Sequence, residues 1–157
     1  MDEKIPLTDW EKEEIPDIDP SGKYYFLYRH IHQTYIKVRE PERISPSAFK
    51  DEDGEGISTD WSKYSSVNET QKRSINKPSR EFGVVSLVIK EIRKDIHLKE
   101  LSIEHNPLQK TATFEGNRAH TDIQGILKYG RSYRKNEAQV HLARIAKWEI
   151  NNKLNSD

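Results

Sequence analysis

The sequence predicts an α+β fold, in which a small mixed or antiparallel sheet carries a packed C-terminal helix. The segment Phe82–Ile89 (FGVVSLVI) is continuously apolar and rich in β-branched residues, which is typical of a strand buried on both faces. Tyr24–Ile31 (YYFLYRHI) is rich in aromatic residues and predicts a second strand. From Asn136 to Asn152 the apolar spacing is that of an amphipathic helix. We expect Phe82–Ile89 to be the central strand.

The first half of the chain adds shorter elements. Residues 37–56 are broken by prolines and glycines and predict a loop, with a short turn at Ser47–Phe49. Ile57–Trp61 (ISTDW) predicts a short strand. Ser66 and Glu69 form a capping box, which predicts a short helix that ends before Pro78. Alternation along the first strand predicts one face with Phe26, Tyr28, His30 and His32, and another with Leu27, Arg29 and Ile31.

The second half supplies the remaining elements. One or two helical turns are expected at 90–96 (KEIRKDI), followed by strands at 98–104 (LKELSIE) and 119–127 (AHTDIQGIL). The C-terminal helix presents an apolar stripe at i, i+3, i+4 and i+8. Its members are Leu142, Ile145, Ala146 and Ile150. The sum is about four or five strands with one packed helix.

Composition limits the class of protein. The chain has 157 residues, the length of one domain, and is 33% hydrophobic and 33% charged, which predicts a thin core that a partner or ligand completes. Cysteine is absent, so disulfides, thiolate zinc sites and a cysteine nucleophile are excluded. No apolar run approaches the roughly 18 residues of a membrane span, and the acidic start is unlike a signal peptide. We expect a soluble cytoplasmic protein.

Residues 1–20 form an acidic arm before a single domain at 21–157. The arm has eight acidic and two basic side chains, a net charge of −6, so the rest of this neutral chain carries +6. Two interpretations stay open: the arm is solvated and poorly ordered, or it covers a basic surface on its own body or on a partner. In the second case Trp10 is the anchor, and the partner-binding residues are Trp10, Glu11, Glu13 and Glu14.

Four of the six histidines are candidates for chemistry. His30 and His32 leave the first strand on one face, and His105 and His120 flank the polar stretch 104–125. Histidine serves as acid or base near neutral pH because its ordinary pKa is about 6.5. His30 and His32 together present two imidazoles to a metal or a phosphate. Alternatively they are plain strand histidines, one packed and one solvated.

Three other side chains are candidates beside these histidines. Arg29 has the planar fork that binds phosphate or carboxylate, although a surface arginine needs no such ligand. Asn117 either orients a ring or substrate or bonds loop backbone. Asp122 with the histidines gives two or three potential metal ligands, so a metal-dependent alternative stays open, and the sequence does not identify a cofactor. Phosphate-binding and dinucleotide-binding glycine motifs are absent.

A basic run with interleaved tyrosines lies before the predicted C-terminal helix, at 128–135 (KYGRSYRK). Basic and aromatic residues in this spacing indicate nucleic-acid contact through phosphate attraction and base stacking. The candidate nucleic-acid-binding residues are Lys128, Arg131 and Arg134. The alternative is a charged turn that leads into the helix.

Five short motifs are similar to those of a family of small uncharacterised bacterial proteins. They are Tyr28–His32 (YRHIH), Ser45–Phe49 (SPSAF), Gly56–Ser58 (GIS), His105–Pro107 (HNP) and Asn117–His120 (NRAH). The resemblance spans roughly Tyr28 to Gly125 and omits the acidic arm. It implies no activity, but it marks the same positions as the chemical argument.

The chain also resembles ADP-ribosyltransferase-like domains at the level of the fold. That resemblance implies an NAD site in which Arg29 or His30 on the first strand stands with Ser58-Thr59 on a later one. The catalytic glutamate of such domains has no clear counterpart in this sequence.

Two functions from different classes follow from these observations. The first is a non-catalytic subunit or regulator of a bacterial multi-protein system, such as one for phage defence or toxin control, which binds a protein partner through the acidic arm and charged surfaces. The second is a small enzyme acting on a phosphate-bearing substrate: a nucleotide, NAD or a nucleic acid. Its catalytic cleft would combine Arg29, His30, His32, His105, Asn117 and His120.

Overall fold

A computed structural model describes residues 4–37, 39–51, 54–73, 78–126 and 132–151. Within these ranges the chain forms eight strands and three α-helices, joined by 3₁₀ turns. The strands are β1 Phe26–His32, β2 Ile36–Lys37, β3 Glu40–Ile44, β4 Ile57–Trp61, β5 Phe82–Val88, β6 Ser102–His105, β7 His120–Gln124 and β8 Lys147–Ile150. The helices are α1 Val67–Lys72, α2 Ile89–Lys94 and α3 Ser132–Ile145.

The main sheet has six strands in the order β6-β7-β4-β1-β5-β8, and β2 and β3 form a separate two-stranded sheet. Every strand pair is antiparallel. Helix α3 packs against the main sheet through the buried residues Ala138 and Leu142. The predicted α+β fold, with an antiparallel sheet and a packed C-terminal helix, is confirmed.

The two faces of the main sheet differ in polarity. Residues opposite each other in register point to the same side, so Leu27, Ile31 and Ile57 share the face that packs on α3 and the rest of the core. The other face is polar where β1, β4 and β7 meet. It carries Tyr28, His30, Ser58, Asp60, His120 and Asp122. One face therefore supplies the core, and the other supplies most side chains of the candidate site. Arg29 is the exception, because it lies on the same side of β1 as Leu27 and Ile31.

Strand β5 agrees with its sequence prediction in character but not in position. Phe82 to Leu87 are all buried, as expected of a strand covered on both faces. The sheet order places β5 between β1 and β8, so β4 and β1 are the central strands. The prediction of a central position was wrong, because four strands lie on one side of β5 and only β8 lies on the other.

The predicted C-terminal helix is too long at its C-terminal end. Helix α3 ends at Ile145, and Lys147–Ile150 pairs with β5 as the edge strand β8. The indole N–H of Trp148 donates to the Glu42 carbonyl over 2.9 Å, and its ring lies against Gly83. A side chain at Gly83 would collide with the backbone of Ile150. The free edge of β5 and this close approach favour a strand over a continued helix.

The shorter predicted elements are largely confirmed. The strand Ile57–Trp61 is present, and both bonds of the capping box between Ser66 and Glu69 begin α1. The turn at Ser47–Phe49 lies in a 3₁₀ helix capped by Ser45. The predicted loop at 37–56 instead contains β3 and the last residue of β2. Pro41 is tolerated in β3 because β3 is a short edge strand that pairs only with β2.

The described part of the acidic arm, from residue 4 onward, lies against the body of the protein. The Leu7 amide donates to the Lys110 carbonyl over 2.7 Å. Ile15 is buried in the core cluster. The arm therefore covers its own body, which is one of the two interpretations the sequence left open. Among the described residues, no helix has the length and apolarity to cross a membrane.

Candidate functional site

The site begins where the β1–β4 ladder stops. These strands pair at only two positions, Leu27 with Trp61 and Tyr28 with Asp60. At the next position along β1, the side chain of Arg29 reaches β4: its Nη1 donates to the Ser58 carbonyl over 2.6 Å. Its Nε donates to the Ala48 carbonyl over 2.9 Å. Arg29 is thus held at the base of an opening between the strands.

The charge of Arg29 is not neutralised by a carboxylate. Both of its hydrogen bonds go to neutral carbonyl groups, and no described acidic side chain lies within ion-pair distance of it. Burial lowers the pKa of Arg29 to about 10, so the guanidinium stays protonated at neutral pH. Two of its five N–H donors are used in these bonds. The remaining donors and the charge favour an anionic ligand.

His120, the first residue of β7, faces Ser58 across the strand pair. Its Nδ1 lies 2.9 Å from the Asn106 carbonyl oxygen, which can only accept, so Nδ1 carries the proton of the neutral ring. The lone pair of Nε2 then faces the Ser58 hydroxyl, whose Oγ is 3.0 Å away. This is the arrangement of a histidine base and a hydroxyl nucleophile, with the Asn106 carbonyl orienting the ring.

A carboxylate stands beside the same ring nitrogen. Asp122 Oδ1 lies 3.5 Å from His120 Nε2, and Asp122 Oδ2 accepts from Asn106 Nδ2 over 3.2 Å. If Nε2 takes up a proton, the carboxylate of Asp122 stabilises the imidazolium charge. The backbone of Gly56 packs closely on Asp122: a Cβ at Gly56 would lie 2.9 Å from Asp122 Cβ. We call Ser58, Asn106, His120 and Asp122 the His120 cluster.

Two cavities meet at this cluster. One encloses about 820 Å³ and is lined by polar and charged groups such as Lys50, Glu55 and Asp122. The other encloses about 510 Å³ and is more apolar, with Phe114 and Leu108 among its walls. Arg29, Ser58, Leu108 and His120 line both cavities. Ser58 and His120 therefore lie at the junction of a polar and an apolar cavity, each large enough for part of a small molecule.

His30 lines only the apolar cavity. Its ring makes an edge contact with Phe82 at a centroid distance of 5.0 Å. Burial lowers the pKa of His30, the nearby charge of Arg29 lowers it further, and Asp60 opposes them only in part. The ring is consequently neutral at neutral pH. His30 suits a packing or hydrogen-bonding role toward a ligand better than that of a cation.

Asn117 belongs to a second polar group, centred on Asp60. Asp60 Oδ1 accepts from Asn117 Nδ2 over 2.8 Å. Its Oδ2 accepts from Thr70 Oγ1 over 2.9 Å and from Arg73 Nη1 over 2.7 Å. Arg73 also donates to Ser65 Oγ. We call Asp60, Ser65, Thr70, Arg73 and Asn117 the Asp60 cluster. Because both carboxylate oxygens are bonded within the protein, Asn117 has a structural role.

The other two candidate histidines lie outside both cavities. His32 ends β1, where its Nδ1 caps a 3₁₀ turn by accepting from the Thr34 amide over 3.2 Å. His105 is 3% exposed and accepts at Nδ1 from the Glu13 amide, so its Nε2 carries the proton and donates to the Arg118 carbonyl over 2.6 Å. Of the predicted catalytic set, the structure brings together Arg29, His30, Asn117 and His120.

The predicted partner-binding residues divide into two kinds. The backbone N–H and carbonyl of Trp10 each form a hydrogen bond with the side-chain amide of Gln109, and the Trp10 ring lies against Gly116. Glu13 accepts from Lys63 Nζ over 2.6 Å and from the Tyr64 hydroxyl. Both are therefore engaged on their own chain. Glu11 and Glu14 are exposed.

Of the predicted nucleic-acid-binding residues, Lys128 and Arg131 lie outside the described residues. Arg134 belongs to α3, and its side chain lies outside the described part of the structure.

The sequence named Ser58 only through the ADP-ribosyltransferase resemblance, and Asp60 was not among the candidates. Ser58 and Asp60 are two positions apart on β4, as are His120 and Asp122 on β7. This spacing was a usable signal, since residues two positions apart share one face once two strands pair.

No protein family, curated protein or solved structure matches this chain.

Proposed function

We propose that the protein is a small enzyme that acts on a phosphate-bearing substrate, of the class of nucleotides, NAD or nucleic acids, at the junction of the two cavities. The observation that carries this proposal is the position of Ser58. Its hydroxyl oxygen lies 3.0 Å from His120 Nε2. Its backbone carbonyl accepts a hydrogen bond from Nη1 of Arg29, whose charge no described carboxylate neutralises. A base, a nucleophile and an anion-binding group thus surround one point.

The chemistry follows from the roles of these groups. His120 removes the proton of the Ser58 hydroxyl through Nε2, and Oγ forms a bond to the electrophilic centre of the substrate. The leaving group departs with the proton that His120 returns. Water, activated by the same nitrogen, then breaks the bond to Oγ and releases the product. Asp122 stabilises the imidazolium during both steps, and Arg29 holds the phosphate.

The two compartments support a bipartite substrate. The polar cavity is lined by two cations, Arg29 and Lys50, and by the carboxylates of Glu55 and Asp122, neither of which is within ion-pair distance of Arg29. The apolar cavity offers the rings of Tyr28, His30 and Phe114 to a flat organic group. A molecule with a phosphate on one side and an aromatic base on the other matches both walls.

The test is binding and turnover with a panel of nucleotides, NAD and a short oligonucleotide. We expect the protein to convert one of these classes and to lose about 10²–10⁴ in rate on His120→Asn, the usual contribution of an acid–base group. Mass spectrometry should detect a covalent adduct of the wild type with the substrate and none with Ser58→Ala. The matched control is His32→Asn, which keeps a capping side chain outside both cavities and should leave the rate unchanged.

Two results would contradict the proposal. One is the absence of binding and turnover for the whole panel. The other is an equal fall in rate for His120→Asn and His32→Asn, because a loss shared with a residue outside the cavities reflects folding.

The alternative function is a non-catalytic subunit or regulator that binds a protein partner through the arm. Exposed Glu11 and Glu14 favour it, whereas Trp10 and Glu13 are already bound to the chain's own body. Capture of a partner that requires residues 1–20, by a protein without turnover, would favour the regulator over the enzyme.

A further inference from the structure

The two histidines that the sequence interpretation passed over lie together, away from both cavities. His97 and His141 stack with their ring centroids 4.0 Å apart and their planes 11° from parallel. With Asp95 they offer three ligand atoms that all lie within 4.8 Å of one another. Glu137 adds a carboxylate oxygen 3.2 Å from His97 Nδ1. Two imidazoles and two carboxylates therefore converge at one place on the surface.

Three elements hold these side chains in position. Asp95 follows α2 and caps the 3₁₀ turn Ile96–Leu98 by accepting from the His97 amide over 2.8 Å. Glu137 and His141 are four residues apart on α3, so they lie on the same face of that helix. Asp95 and His141 are mostly buried, while the side chains of His97 and Glu137 are 46% and 49% exposed. The group is thus anchored on its inner side and open on its outer side.

The composition of the group suits a cation. Asp95 and Glu137 bring two negative charges, and His97 and His141 bring ring nitrogens as ligand atoms. A divalent cation balances that charge and uses the ring lone pairs at the same time.

We propose that Asp95, His97 and His141 bind a divalent transition-metal ion of the Zn²⁺ type, with Glu137 beside His97, and thereby tie α3 to the turn after α2. Three nitrogen and carboxylate ligands with water in the fourth position form a known type of tetrahedral zinc site. Ligand atoms in such a site are about 3.3 Å apart, given metal–ligand distances of about 2.0–2.1 Å. The exposed side chain of His97 supplies the small closure from the present separations, which are within 4.8 Å.

The experiment uses tag-free full-length protein that has been treated with a chelator. Zn²⁺ is added and its binding is measured by competition with a chelating dye, while Co²⁺ absorption reports the ligand geometry. We expect a single equivalent of Zn²⁺ to bind and to raise Tm, since a ligand of the folded state stabilises it. His141→Gln and His97→Gln should each weaken binding by at least about 10-fold, because even groups that only orient metal ligands contribute about 10–100-fold.

The control is again His32→Asn, which removes a histidine outside the cluster and should leave Zn²⁺ affinity and the Tm shift unchanged. His97 is half-exposed, so His97→Gln tests the site even if His141→Gln fails to fold. Equal Zn²⁺ affinity for the wild type and His97→Gln would overturn the proposal, as would the absence of any Tm increase with Zn²⁺.

Discussion

The Asp60 cluster and the His120 cluster are neighbours with opposite characters. Asp60 and His120 face each other directly in the β4–β7 ladder, so the two groups share one face of the sheet. In the Asp60 cluster, both carboxylate oxygens are bonded to donors from the protein. In the His120 cluster, the exposed Ser58 hydroxyl faces Nε2 of His120, and both residues line the two cavities. The apolar cavity is also lined by Asp60, Thr70, Arg73 and Asn117 of the Asp60 cluster, whose carboxylate is already bonded.

The contrast separates polar residues that hold the fold from those available for chemistry. A buried carboxylate whose two oxygens already accept three hydrogen bonds inside the protein stabilises the structure and has little capacity left for a ligand. A histidine fixed on one side by a backbone carbonyl, with its lone pair toward an exposed hydroxyl, keeps that capacity. Burial and polarity alone do not distinguish the Asp60 cluster from the His120 cluster, since Asp60 and Asp122 are both 6% exposed.

The largest expected effect on stability comes from Asp60→Asn. The substitution keeps the shape but removes the charge paired with Arg73, and it turns one acceptor into a donor that faces existing donors. We expect the free energy of unfolding to fall by about 2–3 kcal/mol, somewhat less than for a fully buried pair because Arg73 is partly exposed. Urea unfolding followed by circular dichroism measures it.

The same measurement on His120→Asn completes the comparison. A residue whose main role is chemical should change the free energy of unfolding by less than about 1 kcal/mol. If His120→Asn destabilised the protein as much as Asp60→Asn, the division into a structural and a chemical cluster would be wrong.

A smaller effect is expected from Arg29→Lys, which tests the group beside the His120 cluster. Lysine keeps the positive charge but lacks the planar guanidinium. The guanidinium bonds the carbonyls of Ala48 and Ser58 and still has donors left for a ligand. We expect affinity for the phosphate-bearing substrate to fall about 10-fold, equivalent to about 1.4 kcal/mol. Isothermal titration calorimetry checks this, and an unchanged affinity would mean that Arg29 does not contact the phosphate. Lys72→Arg, which keeps the charge at the rim of the apolar cavity, is the matched control.

The smallest effect concerns Glu13, a partly exposed group that extends the comparison beyond the two clusters. Partial burial raises the pKa of Glu13, but the hydrogen bonds from Lys63 and Tyr64 outweigh it and bring the pKa below its ordinary value. A lowered pKa gives stability that is complete above the ordinary glutamate value and is lost as pH falls through the lowered one.

We therefore expect the free energy of unfolding of the wild type to exceed that of Glu13→Gln by less than about 1 kcal/mol at pH 7. This difference should vanish as the pH falls through the lowered pKa of Glu13. Urea unfolding of both proteins across this range measures the difference. A difference that stays constant with pH would show that the carboxylate charge does not hold the arm.

About half of the candidate site could be predicted from residue types. Arg29, His30 and His120 line the cavities as their chemistry indicated, and Asn117 lines one of them while bonding Asp60. His105 was chosen for the same reasons, yet its ring points into the opposite side of the sheet against Trp61. No property of a histidine in a sequence tells which face of a strand its side chain takes when the register of that strand is unknown.

The sequence by itself determined the elements that depend on near neighbours along the chain: the buried strand β5, the short strand β4, the capping box of α1 and the middle of the last helix, from Asn136 to Ile145. Their signals are apolar runs and capping residues within a few positions, so local interactions suffice. Only the tertiary structure decided that Lys147–Ile150 is a strand, because the stripe of apolar residues there fits a helix until the free edge of β5 offers it hydrogen bonds. It also decided the pairing of Ser58 with His120, which lie 62 residues apart and meet only through the register of β4 with β7. A shift of one residue in that register would turn one of the two to the core, so the contact belongs to the packed sheet and not to either segment alone.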